Sequence, residues 1–174
     1  MSFRIKTIIG IALIQSVLLI ILIVNVMNFL ISSNDQQLQQ RAETTSTLFA
    51  KSVKDSILST DIATLESFVD EILKAPDIVY VRISSPQHIF VEGGDPQILK
   101  TPHKPDTGLA VIEDNIFDTR VEIKEAGVLY GVIEMGISTQ SIESLLSSAK
   151  LDAFWIATFE ILLVVIFSIF LVTI

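Results

Sequence analysis

The chain has 174 residues, half of them hydrophobic, with 20 acidic against 12 basic side chains and a net charge of −8. So acidic a chain has no electrostatic reason to bind nucleic acid or an anionic lipid surface. It holds no cysteine, so disulfides and thiolate chemistry are excluded and any folded part must rest on an ordinary core.

The apolar residues gather at the two ends. Residues 7–31 carry no charge over 25 positions, and residues 153–174 carry one, Glu160. A hydrocarbon core needs ~20 helical residues, and a backbone inside lipid satisfies itself as helix. Both runs read as transmembrane helices. The first is longer than a signal-peptide core, and "NFLISSND" offers no small-residue cleavage site, so it reads as a retained helix. Arg4 and Lys6 precede it. Positive flanks stay inside, which places residues 1–6 in the cytoplasm and residues 32–152 outside. The expected location is a bacterial inner membrane with a periplasmic domain.

Between Ser32 and Asp61 there is no Pro or Gly to break a helix. Leu38, Ala42, Thr45, Phe49, Val53 and Ile57 recur every three or four residues, a helical stripe. It reads either as packing on its own domain or, through Leu38, Ala42, Thr45 and Phe49, as pairing with the same helix of a second chain. A second helix follows, with Asp61 as N-cap and Pro76 as its end. The period then changes to two. "DIVYVRIS" and "HIFVE" read as strands joined at "SPQ", the second stopped by Gly93 and Gly94. "DPQILKTPHKPDT" is a loop and "AVIED" a candidate short strand. "FDTRVEIKE" and "VLYGVIEMGIS" are strands around a turn at Ala126 and Gly127. Ser138 and Thr139 are N-cap types for a helix that runs into the second apolar run. The fold class is α+β: two membrane helices flanking a domain of helices and a four- or five-stranded antiparallel sheet.

This order resembles the N-terminal sensory part of bacterial two-span receptors with an extracytoplasmic PAS-like (Cache/CHASE-type) domain. The resemblance rests on "LKAPDIVYVRISSPQHIFVEGGD" and on "GVLYGVIEMGIS", where Gly127, Gly131, Val132, Ile133, Met135 and Gly136 fill a G-x-x-x-G-x-[IV]-x-[VM]-G pattern. It implies a transmembrane sensor, a homodimer, and an output module of histidine kinase, cyclic-di-GMP (GGDEF/EAL) or chemotaxis type. No such module lies within the chain, so the sequence reads as truncated at Ile174. The rival reading is a complete small membrane subunit whose outer domain binds a periplasmic protein.

Catalytic templates fail. His88 and His103 stand fifteen apart, and nucleophile-elbow, P-loop and dinucleotide motifs are absent, so neither an enzyme nor a cofactor or metal site is expected. "VEGGDP" reads as a hairpin end. Tyr80, Arg82, Arg120 and Tyr130 lie on strands, Arg82 in phase with Ile78 and Tyr80. They read either as a solvated face with cross-strand ion pairs, or as the rim of a pocket for a small anionic ligand, since Arg grips carboxylates bidentately. A carboxylate at the bilayer centre is costly, so Glu160 needs a partner. Counted from Ala153 it lies ~10 Å deep. Counted from Ile31, Asn25 reaches that depth, Asn28 lies nearer the surface, and Gln15 falls level with Ser168. Equal depth predicts that Glu160 faces Asn25 or Asn28, in the same chain or a dimer mate.

Overall fold

The computed structural model describes residues 3–101 and 104–173, leaving aside the side chains of residues 3–8, 168–169 and 171–173. His103 and the side chain of Ser168 therefore lie outside the described residues. The chain forms two compact units: a helical one, Met1–Asn34 with Ile142–Ile174, and a mixed one, Asp35–Ser141.

Helix α1 is Phe3–Ser59 and helix α3 is Gln140–Thr173. Neither contains a proline, and Gly10 is the one glycine in either, so nothing interrupts the backbone ladder. Among the described residues one helix, Ile9–Ser59, is long and apolar enough to cross a membrane. The far end of the second apolar run falls outside the fully described residues.

The mixed unit is α+β. Helix α2 is Ile62–Ile72, and its N-cap Asp61 accepts from the Thr64 amide at 3.2 Å and the Thr64 hydroxyl at 2.7 Å. These bonds satisfy a helix-end donor and hold the Asp61 carboxyl below its usual range. Strands β1 (Ile78–Ser84), β2 (Ile89–Gly94), β3 (Ile116–Glu125) and β4 (Val128–Ser138) form an antiparallel sheet in the order β2-β1-β4-β3. One face carries Val81, Ile83, Ile133, Met135 and Ile137, all buried. Helices α1 and α2 cover it. Ser46 of α1 meets Thr119 of β3 at 3.5 Å, and Ile57 lies against Gly131. Leu65 and Val69 of α2 are fully buried, and Val69 and Leu73 lie against Gly93.

The stripe on α1 thus packs on its own unit. Leu38, Ala42 and Phe49 are 4%, 1% and 6% exposed, with Thr45 half-buried beside them. Leu38, Ala42 and Phe49 are taken up by this core, while Thr45 borders the open side of the helix. The face of α1 left open here carries Gln37, Gln40, Arg41, Thr44 and Leu48.

Other details differ from the sequence expectation. Gly93 and Gly94 continue β2, pairing with Val81 and Tyr80, rather than stopping it. A Cβ at Gly93 would stand 2.7 Å from Leu73, so glycine lets α2 approach the strand. "AVIED" contributes to a 3-10 turn at Leu109–Val111 and no strand, leaving four strands among the described residues. Its flanks are already held: Asp35 accepts from the Leu109 amide at 2.8 Å, and Asp106 occupies the β3 edge opposite Asp118.

Three bulges break the simple alternation, one of them in β2, where Ile83 pairs with Val91 and Ser84 with Ile89 and Phe90 is the extra residue. Ile78 pairs with Ile137 and Tyr80 with Gly136, so Val79 is the extra residue. Ile78 consequently joins the helix-covered face while Tyr80 and Arg82 take the other, correcting the shared phase read from sequence. In β4, Gly131 pairs with Ile123 and Leu129 with Lys124, leaving Tyr130 as the bulged residue.

Candidate functional site

The second face of the sheet carries a row of charges, one from each strand. Glu92 pairs with Arg82, Arg82 with Glu134, and Glu134 with Arg120. Arg82 donates from Nε to Glu92 at 2.9 Å, places Nη1 3.7 Å from Glu134, and donates from Nη2 to the Leu99 carbonyl. Its side chain is 14% exposed. Two carboxylates and a carbonyl already occupy its fork. Arg120 is freer: its ion pair to Glu134, the one it makes among the described residues, is long at 3.9 Å, and its side chain is 44% exposed.

Tyr80 does not reach solvent. It is fully buried, and its hydroxyl donates to Asp118 at 2.8 Å. Burial, and then the neighbouring Asp118 carboxylate, push the phenol well above its ordinary value. Its ring lies flat against β4 because residue 136 is glycine; a Cβ there would stand 2.3 Å from the ring. Tyr130, 40% exposed at its bulge, lies four residues along β4 from Glu134, ~13 Å at strand rise. The four residues expected to rim one pocket do not do so together, although Arg82 and Arg120 flank the same Glu134. Tyr80 is core, Arg82 is tied into the charge row, Tyr130 stands apart, and Arg120 opens onto a cavity.

That cavity, about 230 Å³, lies at the β3 edge of the mixed unit. One wall is the early part of α1 in this unit, with Gln39, Ala42 and Glu43; another is Phe117–Arg120; the third is Pro105–Thr107. The loop wall is fastened on both sides. Gln39 donates to the Thr107 carbonyl at 3.1 Å. The Asp106 amide donates to the Asp118 carbonyl at 2.8 Å, and the Asp118 amide donates to the Asp106 carboxylate at 2.8 Å. Arg120 thus faces a recess with the Gln39 amide and the carboxylates of Glu43, Asp106 and Asp118. A carboxylate would find the guanidinium there, and an ammonium would find the acids. Sequence reasoning missed Gln39, Glu43 and Asp106. Nothing in the strand periodicity points to a loop that folds back on the β3 edge.

No protein-family model matches this chain, and no curated protein matches it. Among the described residues, no cluster of three or more His, Cys, Asp or Glu is placed to hold a metal ion.

In the helical unit, Glu160 accepts from Gln15 at 3.0 Å. This differs from the expected partners. Asn25 donates to the Ile21 carbonyl of its own helix at 2.7 Å, and Asn28 is exposed. The reason is register. With Gln15 opposite Glu160, an antiparallel pair brings Leu19 level with Ile156, Ile23 with Asp152 and Val26 with Ala149. The same residues line an apolar groove of about 330 Å³ in this unit. Counting depth inward from the ends of the two uncharged runs put the helices eight to ten residues out of this register.

Proposed function

We propose that the chain is the sensory part of a two-span receptor of the bacterial inner membrane. Residues 32–152 stand in the periplasm as a PAS-like domain, and residues 7–31 and 153–174 cross the membrane. The observation that carries this reading is helix α1. One unbroken helix supplies an apolar span near its start and the buried Val53 and Ile57 of the mixed unit's core near its end. Such an element suits a receptor, because repacking of the core at one end is felt along the same helix. Coupling of this kind needs a switching element, and a homodimer of α1 and α3 would supply it. The output module, of kinase or cyclic-di-GMP type, lies outside this chain on this reading.

The ligand we assign is a small molecule bearing a carboxylate and an amine, held in the β3-edge cavity by Arg120 and its surrounding acids. A cavity of about 230 Å³ suits a molecule of amino-acid size. The test is a thermal-shift screen of the detergent-solubilised chain against amino acids and small carboxylates. A hit is expected to raise the melting temperature in the parent chain and to lose at least about tenfold in affinity in Arg120→Ala, the direction expected when a charge-assisted pair is removed. A hit that survives Arg120→Ala but not Arg82→Ala would move the site to the charge row. Failure of every small molecule, with capture of a periplasmic protein by the same chain, would replace this reading by the partner-binding subunit.

A further inference from the structure

The register of the helical unit says where Gln15 and Glu160 stand, given the two-span reading on which this inference rests. Residues 7–22 of α1 are level with residues 153–168 of α3, and between them these two stretches hold no charge except Glu160. That common uncharged layer is about 24 Å thick at helical rise. Gln15 and Glu160 lie at its middle. This is the position where an unsatisfied polar group costs most.

The bond between them leaves groups over. A glutamine amide has two N–H donors and a carbonyl oxygen, and a carboxyl group has two oxygens. The 3.0 Å bond from Nε2 to Oε1 uses one donor and one oxygen. Gln15 is exposed in the unit, and its neighbours on that flank, Ile11 and Leu18, are 59% and 61% exposed. The pair is thus open on its Gln15 side, with Glu160 half-buried behind it, beside an apolar surface that none of the described residues covers.

We propose that this pair is an intramembrane docking point for a second copy of the chain. The spare N–H of Gln15 in one copy donates to the spare oxygen of Glu160 in the other, and the reverse contact follows by two-fold symmetry. The second copy is the occupant because the residual donor and the residual acceptor sit at one point and complement each other. A four-residue ring then satisfies both carboxyl groups. Ile11 and Leu18 close around it, excluding lipid. This surface is distinct from the Leu38–Phe49 stripe, which the mixed unit's own core occupies.

The chain has no cysteine, so single-cysteine variants report cleanly on proximity. Full-length chain is oxidised in native membranes and read as disulfide-linked dimer. Leu18→Cys, on the Gln15 flank, is expected to cross-link, and Leu13→Cys, on the opposite flank, about tenfold less. Adding Gln15→Leu to Leu18→Cys is expected to lower cross-linking about tenfold. The exchange Gln15→Glu with Glu160→Gln, which keeps one donor amide and one carboxyl per copy, is expected to restore it. Equal cross-linking at positions 13 and 18, or indifference to Gln15→Leu, overturns the docking point. A separate measurement tests the two-span reading. If Glu160→Cys reacts with a membrane-impermeant maleimide as fast as Ser33→Cys does, residue 160 is not in the membrane, and that reading fails with the docking point. If Glu160→Cys is protected while Leu18→Cys does not cross-link, the docking point alone fails.

Discussion

A methyl group at Gly136 would stand 2.3 Å from Cε1 of Tyr80 and 2.7 Å from Cγ2 of Ile116. Both are well inside contact distance, and both neighbours belong to a packed core. Gly136→Ala is therefore expected to cost about 1–3 kcal/mol, seen as a lower denaturation midpoint of the solubilised chain; an unchanged midpoint would mean that the ring has another place to go. The last glycine of the motif read from sequence thus has a physical task, to seat a buried tyrosine. Tyr80 itself makes stability depend on pH. Its folded-state pKa is raised above the unfolded value of about 10. The folded chain keeps the proton that the unfolded chain gives up, so the contribution is whole below pH ~10 and declines above it. Alkaline titration of stability is expected to fall more steeply in the parent than in Tyr80→Phe, and parallel curves would show that the phenol is not the source. Arg82 illustrates what residue type alone conceals. An arginine on a strand is compatible with a ligand grip or an ion-pair row, and only the positions of Glu92, Glu134 and the Leu99 carbonyl decide between them.

Strands and helices were legible because their periods differ. The Asp61 cap of α2 and strands β1, β3 and β4 all lie within a residue or two of where the pattern puts them, while α2 ends at Ile72, short of Pro76. The bulges at Val79 and Tyr130 were not legible. A bulge inserts one residue and shifts the phase beyond it, and the inserted residues here, a valine and a tyrosine, are ordinary strand residues. The hairpin between β3 and β4 shows the opposite case, a turn visible in sequence but imperfect in detail. Ala126 and Gly127 have φ of 49° and 81°, the two left-handed residues of a tight hairpin. Glycine takes this without strain and alanine does not. Ala126→Asn is expected to stabilise the chain by about 1 kcal/mol, measured as a higher midpoint in denaturant, with β4 register unaltered; a lower midpoint would show that the alanine makes contacts worth more than its strain.

At the scale of the molecule, the α+β class, the long first helix and the four antiparallel strands follow from period and composition. The cavity at the β3 edge does not, because it depends on where residues 105–107 return, and a loop has no period to read. Nor does the register between α1 and α3, since an uncharged run marks which residues tolerate lipid and not where lipid begins. The Gln15–Glu160 bond makes the two helices disagree about that boundary. Along the sequence toward the mixed unit, α3 first meets charge at Asp152 and Lys150, level with Ile23 and Asn25, yet α1 stays uncharged to Ile31. The shared layer of about 24 Å is thinner than a typical hydrocarbon core of about 30 Å. On the two-span reading, a bilayer of ordinary width would wet one helix too little or the other too much, drawing Asp152 inward or leaving Phe29 and Ile31 to water. Such hydrophobic mismatch is relieved by tilt or local thinning at fractions of a kcal/mol per ångström. On the two-span reading, the polar pair therefore makes the helical unit a ruler, whose tilt follows the thickness of the membrane that holds it.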